Sequence, residues 1–295
     1  MQENVKIVEC PRDAWQGLPV HIPVRRKAEY LQSLISAGFT HIDAASFVSP
    51  KAVPQMVDSE SFLELLDVPE HVELIGIVVN ERGAERAIAT RKIQTLGFPY
   101  SISPGFLRRN QNQSPGESIH ALSSIAALAQ VAGLDMITYV SMAFGNPYGD
   151  PWNVASVKEA CAILADCGVR QISLADTVGM ATPALVQDTV AYAIAAFPEI
   201  EIGVHLHASL QDAPTKIHAA WRAGCRRFDS AIGGLGGCPF AQEDLVGNIS
   251  TEFLLAELKS VGAQWPQLQP LNALLHANAV IAAEFGHAET KESKS

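Results

Sequence analysis

The sequence predicts an α/β fold: a single (β/α)8 barrel with an additional C-terminal helix. Three observations carry that expectation. Short β-rich runs alternate with longer helical patterns from end to end, and there are eight such pairs. The first strand is also followed by Pro11-Arg12-Asp13-Ala14-Trp15-Gln16, not by the glycine-rich phosphate turn that opens a doubly wound sheet. Alternating strands and helices build a parallel sheet, because parallel strands need a crossover between them. Eight units in 295 residues favour closure into a barrel.

The β-rich runs are 5–10, 41–44, 72–79, 95–98, 136–141, 171–175, 201–207 and 227–232. Helical patterns cover 24–37, 54–66, 81–91, 115–132, 156–166, 183–196, 213–223 and 251–261, and 268–285 reads as the extra terminal helix. Ser114-Pro115 and Thr182-Pro183 have the form of an N-cap followed by an N1 proline. Gly38, Gly133, Gly168 and Gly224 stand just past helix ends, where a left-handed residue is wanted. Residues 1–286 form one barrel domain in this reading, and 287–295 a disordered polar tail.

Composition narrows the function classes. Apolar residues make up 48% and charged residues 18%, a globular balance. The net charge of −10 disfavours nucleic acid and anionic membranes as partners, since both need a basic footprint. No apolar run is long enough to span a bilayer. No basic-then-apolar leader opens the chain, and five cysteines without paired spacing argue against a disulfide framework. The expected compartment is the cytoplasm. Arg25-Arg26-Lys27 reads as solvated helix charge.

Barrel enzymes place their chemistry at the carboxyl ends of the strands. Arg12 and Asp13 stand there on strand one, Asp43 with Ser46 on strand two, Ser173 with Asp176 and Thr177 on strand six, and His205 with His207 on strand seven. Alternate residues of a strand share a face, so both imidazoles can face one ion. A His-x-His pair alone is as often structural as ligating. Its place at the end of strand seven, opposite Asp13, points to a metal. Imidazole with carboxylate and amide oxygen suits Mg²⁺ or Mn²⁺, with Zn²⁺ also accommodated, better than a thiolate-preferring ion. Strand eight runs into Gly233-Gly234-Leu235-Gly236-Gly237-Cys238. Such a loop can move or approach a ligand closely, and a cysteine at its end can exchange a proton with substrate. Cys161, Cys167, Cys225 and His218 read as packing residues. Trp15 is open between a packed lid and a substrate contact.

The chain resembles the 3-hydroxy-3-methylglutaryl-CoA (HMG-CoA) lyase branch of the metal-dependent aldol and retro-aldol barrels. The resemblance spans nearly the whole chain. It rests on Ala45-Ser46-Phe47-Val48-Ser49-Pro50-Lys51, Val53-Pro54-Gln55-Met56 and Gly234-Leu235-Gly236-Gly237-Cys238-Pro239, supported by Ala175-Asp176-Thr177-Val178-Gly179, Gly247-Asn248 and Thr251-Glu252. It implies cleavage of HMG-CoA to acetyl-CoA and acetoacetate, an acyl-CoA as the small-molecule partner, and a homodimer. It implies that Asp13, His205, His207 and Asn248 bind the metal, and that Arg12 stabilises the enolate oxygen. Cys238 would exchange the proton on the acetyl-CoA carbon, and Asp43 and Asp176 would hold the substrate hydroxyl. Gln16, Ser46, Ser173 and Thr177 would line the acyl pocket, with Arg109, Asn110 and Asn112 where the family meets CoA.

Five features depart from the family pattern. Glu9-Cys10-Pro11-Arg12-Asp13 is one residue short. Ala14-Trp15 replaces Gly-Leu, and Asp43 replaces a glutamate. Ala208 replaces the aspartate after the histidine pair, removing a carboxylate expected to support the metal ligands. Ile137 replaces an arginine on strand five. Read along the chain, these changes surround the acyl pocket and leave the metal set and Cys238 intact. Two other functions fit the sequence: condensation of acetyl-CoA with a 2-oxo acid, and a barrel that binds ligand without turnover.

Overall fold

Eight parallel strands close into one barrel in chain order in the computed structural model, which describes residues 4–236 and 246–287. They are β1 (Lys6–Glu9), β2 (His41–Ser46), β3 (Glu73–Ile77), β4 (Thr95–Ser101), β5 (Asp135–Ser141), β6 (Gln171–Asp176), β7 (Glu201–Leu206) and β8 (Arg227–Ser230). The barrel shuts where β8 pairs with β1, Lys6 opposite Arg227 and Glu9 opposite Ser230. Val8 and Cys10, Ile75 and Ile77, and Ile137 and Tyr139 form their own buried cluster. Their period of two is that of strand residues facing one side. The larger apolar cluster fills the layer between strands and helices.

The helices are α1 (Pro11–Gln16), α2 (Val24–Ser36), α3 (Ser59–Glu64), α4 (Glu81–Ala89), α5 (Pro104–Gln111), α6 (Pro115–Ala132), α7 (Val154–Asp166), α8 (Pro183–Ala196), α9 (Ala213–Arg222), α10 (Thr251–Ser260) and α11 (Asn272–Phe285). Ser114 caps α6 in a reciprocal box with Glu117, and Thr182 Oγ1 accepts from the Leu185 N–H at 3.2 Å. Gly38, Gly133, Gly168 and Gly224 all have positive φ. No helix of the described residues is long and apolar enough to cross a membrane.

Several sequence expectations need correction. The pattern over 54–66 splits into a 3-10 turn at Pro54–Met56 and α3. The segment after β1 is helical, because Pro11 sits at the first helical position with φ already preset. Arg12 and Asp13 therefore lie on a short helix, not at a strand end. α5 escaped the reading because Arg108-Arg109-Asn110-Gln111 breaks the apolar period. The terminal helix begins at Asn272, not 268. Lys27 is not solvated: it is fully buried and donates to Asp58 Oδ1 at 2.6 Å and to the Gln55 carbonyl. Trp15 is also fully buried, edge-on to Tyr30 at 5.3 Å between centroids, so it is neither a lid nor a pocket wall.

Glu9 ties the root of the glycine-rich segment to the barrel. Its Oε1 accepts from the Ile232 N–H at 2.8 Å, and Oε2 accepts from Thr251 Oγ1 at 2.5 Å. Asn278 Nδ2 holds the Ile232 carbonyl from α11 at 2.8 Å. Burial pushes the Glu9 carboxyl up to about 8, against the pull of Thr251. The folded chain thus keeps a proton here that the unfolded chain releases near 4.5. Stability from this group is full below that value and is lost as pH rises toward 8. We expect the urea midpoint of the native chain, relative to Glu9→Gln, to fall between pH 5 and pH 8. A constant difference would contradict the account.

Candidate active site

The cavity at the carboxyl end of the barrel has a volume of about 200 Å³. One side is charged and polar: Arg12, Asp13, Gln16, His205 and His207. The other is apolar, with Val48, Val53, Ile77, Val79 and Phe106 among its residues. Ser46, Ser141, Thr177, Tyr139, Asn110 and Gln111 complete the lining.

This side is built by α1, β7 and the residue that follows β7. Among the described residues, Asp13, His205 and His207 bring one ligand atom each within 4.8 Å of one another. Asp13 Oδ1 accepts from Gln16 Nε2 at 2.8 Å, and Arg12 Nη1 lies 3.2 Å away. Asp13 Oδ2 accepts from Asn248 Nδ2 at 2.9 Å. Asn248 reaches this place because its backbone bridges to His207. Its amide turns nitrogen toward Asp13, so a half-turn about the last side-chain bond would present the oxygen. Burial raises the Asp13 carboxyl, but Arg12 and the two imidazoles outweigh it and hold the group at about 2.

The two imidazoles have different supports. His207 hydrogen-bonds the Thr177 backbone, while its Nε2 is buried and without a hydrogen-bond partner among the described residues. Burial and the adjacent His205 push it down to about 4, so its ring is neutral at pH 7. Burial opposes charge on His205 too, but Asp229 and Asp13 raise it overall. A buried imidazole nitrogen with no protein partner, facing a carboxylate and a second imidazole, is the donor set of a divalent-ion site. The residues present fit the group.

Arg12 is fixed from behind. Its Nε donates to Asp43 Oδ1 at 3.1 Å and its Nη2 to Asp43 Oδ2, a two-pronged pair, while Nη1 donates to Gln16 Oε1 at 2.9 Å. Burial raises the Asp43 carboxyl despite Arg12. Both Asp43 oxygens are spent on Arg12, and Asp43 does not line the cavity.

Asp176 and Ser173 also lie off the cavity. Asp176 is sealed against Lys216, whose Nζ lies 2.7 Å from Asp176 Oδ2 and donates to the His207 carbonyl at 3.0 Å. Burial raises the Asp176 carboxyl, though Lys216 pulls the other way. Ser173 donates to Asp229 Oδ2 at 2.8 Å. Thr177 lines the cavity and accepts from the Met142 N–H at 2.9 Å. Asn110 faces the cavity from α5, but Arg109 stacks on the Tyr148 ring at 4.5 Å and Asn112 is an exposed left-handed helix cap. Cys238 lies outside the described residues.

The sequence reading missed Asp229, Lys216 and Tyr139. Asp229 offered a signal: Arg227-Phe228-Asp229 on strand eight puts two charges on one face. Lys216 offered none, since a helical lysine is ordinarily solvated. The departures also sit differently from what was expected. Trp15, Ile137 and Ala208 do not line the cavity, and the carboxylate lost at Ala208 is present on another strand as Asp229, 3.4 Å from His205 Nδ1.

Comparison with known proteins follows the same line. The HMGL-like family model matches residues 4–281. The chain is 34% identical over 265 residues to mitochondrial hydroxymethylglutaryl-CoA lyase of Mus musculus, covering 89% of this chain and 80% of the relative. It is 31% identical to (R)-citramalyl-CoA lyase of Chloroflexus aurantiacus, covering 96% and 92%. A solved HMG-CoA lyase from Acinetobacter baumannii, in complex with coenzyme A and 3-methylmalate, superposes with a TM-score of 0.88 at 31% identity, covering 96% and 92%. The chain belongs to the HMGL-like family, and it is a carbon–carbon lyase.

Proposed function

We propose that this protein cleaves a 3-hydroxyacyl-CoA by a divalent-metal-dependent retro-aldol reaction, with HMG-CoA as substrate and acetyl-CoA and acetoacetate as products. The observation that carries the reading is the cage of Asp13, His205 and His207 beside a guanidinium that faces the same cavity. Asp13, His205, His207 and Asn248 would hold Mg²⁺ or Mn²⁺, which when bound supplies Lewis acidity to the substrate hydroxyl. When the carbon–carbon bond breaks, the hydroxyl proton passes to water at the cavity mouth and the thioester side becomes an enolate, which Arg12 stabilises, because a pre-positioned cation needs no reorganisation as charge develops. Cys238 delivers the proton that turns that enolate carbon into the methyl of acetyl-CoA. Gln16, Ser46 and Thr177 position the acyl group, and Asn110 stands toward the CoA side.

We give three residues roles that differ from those the resemblance implies. Asp43 acts through Arg12, holding the guanidinium flat toward the cavity, and does not grip the substrate hydroxyl. Asp176 acts through Lys216, which pins the His207 carbonyl. Ser173, likewise off the cavity, acts through Asp229. The solved relative holds a hydroxy-dicarboxylate with coenzyme A. That supports an acyl-CoA bearing a hydroxyl and a carboxylate, the class that includes both HMG-CoA and citramalyl-CoA.

Acetoacetate release from HMG-CoA with Mg²⁺, abolished by chelation, is the expected result. Absence of turnover by folded, metal-loaded protein would contradict it, and turnover of citramalyl-CoA alone would move the assignment to that substrate. Arg12→Met should lower kcat on the order of 10²–10³-fold while leaving Mn²⁺ affinity within a few-fold. Loss of metal binding instead would make Arg12 a support of the cage. His207→Ala should weaken Mn²⁺ binding in calorimetry; unchanged affinity would remove it from the ligand set. Cys238→Ala should keep metal binding and lose most turnover, and retained turnover would end its role in proton transfer.

A further inference from the structure

Behind the metal cage lies a second ionic group that the reaction does not use directly. Asp229, from β8, is fully enclosed. Ser173 Oγ of β6 donates to its Oδ2 at 2.8 Å, and Arg227 Nη1 lies 3.1 Å from its Oδ1. The same Oδ2 lies 3.4 Å from His205 Nδ1. That distance is long for a hydrogen bond, and it is the kind of contact that tightens when a ligand seats the ring. On the opposite side of the ring, His205 Nε2 faces Asp13 Oδ2 at 3.9 Å.

A buried Asp beside a buried Arg is expensive to desolvate, and apolar residues of like volume commonly serve stability as well or better. The pair therefore calls for a reason other than stability. Room has been made for it. A Cβ at Gly203 would meet Arg227 Cγ and Nη1 at 2.9 Å, so the guanidinium occupies the space of a missing side chain on β7. Gly203 lies two residues before His205, on the same face of β7. The barrel interior is thus shaped for a cation that neutralises Asp229 from one side while the imidazole meets it from the other.

We propose that Asp229, held by Arg227 and Ser173, is the positioning residue of His205. It keeps the proton on Nδ1, leaves Nε2 as the metal-facing lone pair, and fixes the plane of the ring. His207 does without such a partner, because its ring already hydrogen-bonds the Thr177 backbone. The two imidazoles therefore differ: His205 is the ligand with a carboxylate behind it and hence the more basic donor. Arg227 keeps Asp229 from recruiting an ion of its own. This inference rests on the metal site proposed above.

The test combines tautomer and affinity. In ¹⁵N-histidine-labelled, metal-free protein above pH 8, long-range ¹H–¹⁵N correlation should show His205 with its proton on Nδ1, the signal assigned by its loss in His205→Gln. Calorimetry with Mn²⁺ should show affinity falling roughly 10–100-fold in Asp229→Asn, and by a smaller factor in Ser173→Ala, which leaves the ion pair intact. Should Asp229→Asn fail to fold with Arg227 unpaired, the native tautomer and Ser173→Ala decide the matter. A proton on Nε2 in the native protein, or native affinity in folded Asp229→Asn, would overturn the proposal. Native Mn²⁺ binding without cleavage of HMG-CoA would remove the assigned reaction yet leave the affinity series to judge Asp229. Absence of Mn²⁺ binding by the native protein would overturn both.

Discussion

A carboxylate cannot stay charged inside a barrel unless donors and positive charge surround it, and Asp13 is the group that sets this condition here. Three protein donors reach it: Gln16 and Arg12 on its own helix and Asn248 from the far end of the chain. Two imidazoles, His205 of β7 and His207 just past it, face it. Each of those groups brings a demand of its own. Arg12 needs Asp43, His205 meets Asp229, and His207 needs the Thr177 backbone. The charges alternate outward from Asp13 across α1, β2, β7 and β8.

The strand pattern was legible because β-rich runs and helical periods alternate without interruption, and local punctuation such as Ser114-Pro115 and Gly133 folds as its chemistry dictates. The shape of the strand-one junction was not. Pro11 reads as a strand terminator and acts as a helix starter, which moves Arg12 and Asp13 onto α1 and lets Gln16 lie one turn from Arg12. The approach of two imidazoles to Asp13 was legible because His205 and His207 alternate along one strand direction. The supports were not, because they come from elements distant in sequence. Asp229 stands where Ala208 seemed to leave a gap, and Lys216 crosses from α9 to silence Asp176. Likewise, Trp15, Ile137 and Ala208 do not line the cavity. A linear reading groups residues by neighbourhood in the chain, and the barrel regroups them by height along its axis.

That regrouping divides the labour of the molecule. The charged and polar half of the cavity is bound into strands and α1. The apolar half, from Val48 and Val53 through Phe106, is carried largely on segments after the strands, where the fold tolerates change. Relatives that act on hydroxymethylglutaryl-CoA and on citramalyl-CoA are about equally similar to this chain. A hydrophobic wall discriminates between small acyl substituents by only about 1–3 kcal/mol.

The central claim is that one divalent ion belongs among Asp13, His205 and His207. Anomalous diffraction from crystals grown with Mn²⁺ tests it most directly. The account predicts a single strong peak bonded to Asp13, His205 Nε2 and His207 Nε2, with the Asn248 amide oxygen turned inward as a fourth protein ligand. A peak elsewhere in the barrel, or an empty cage at saturating Mn²⁺, would contradict it.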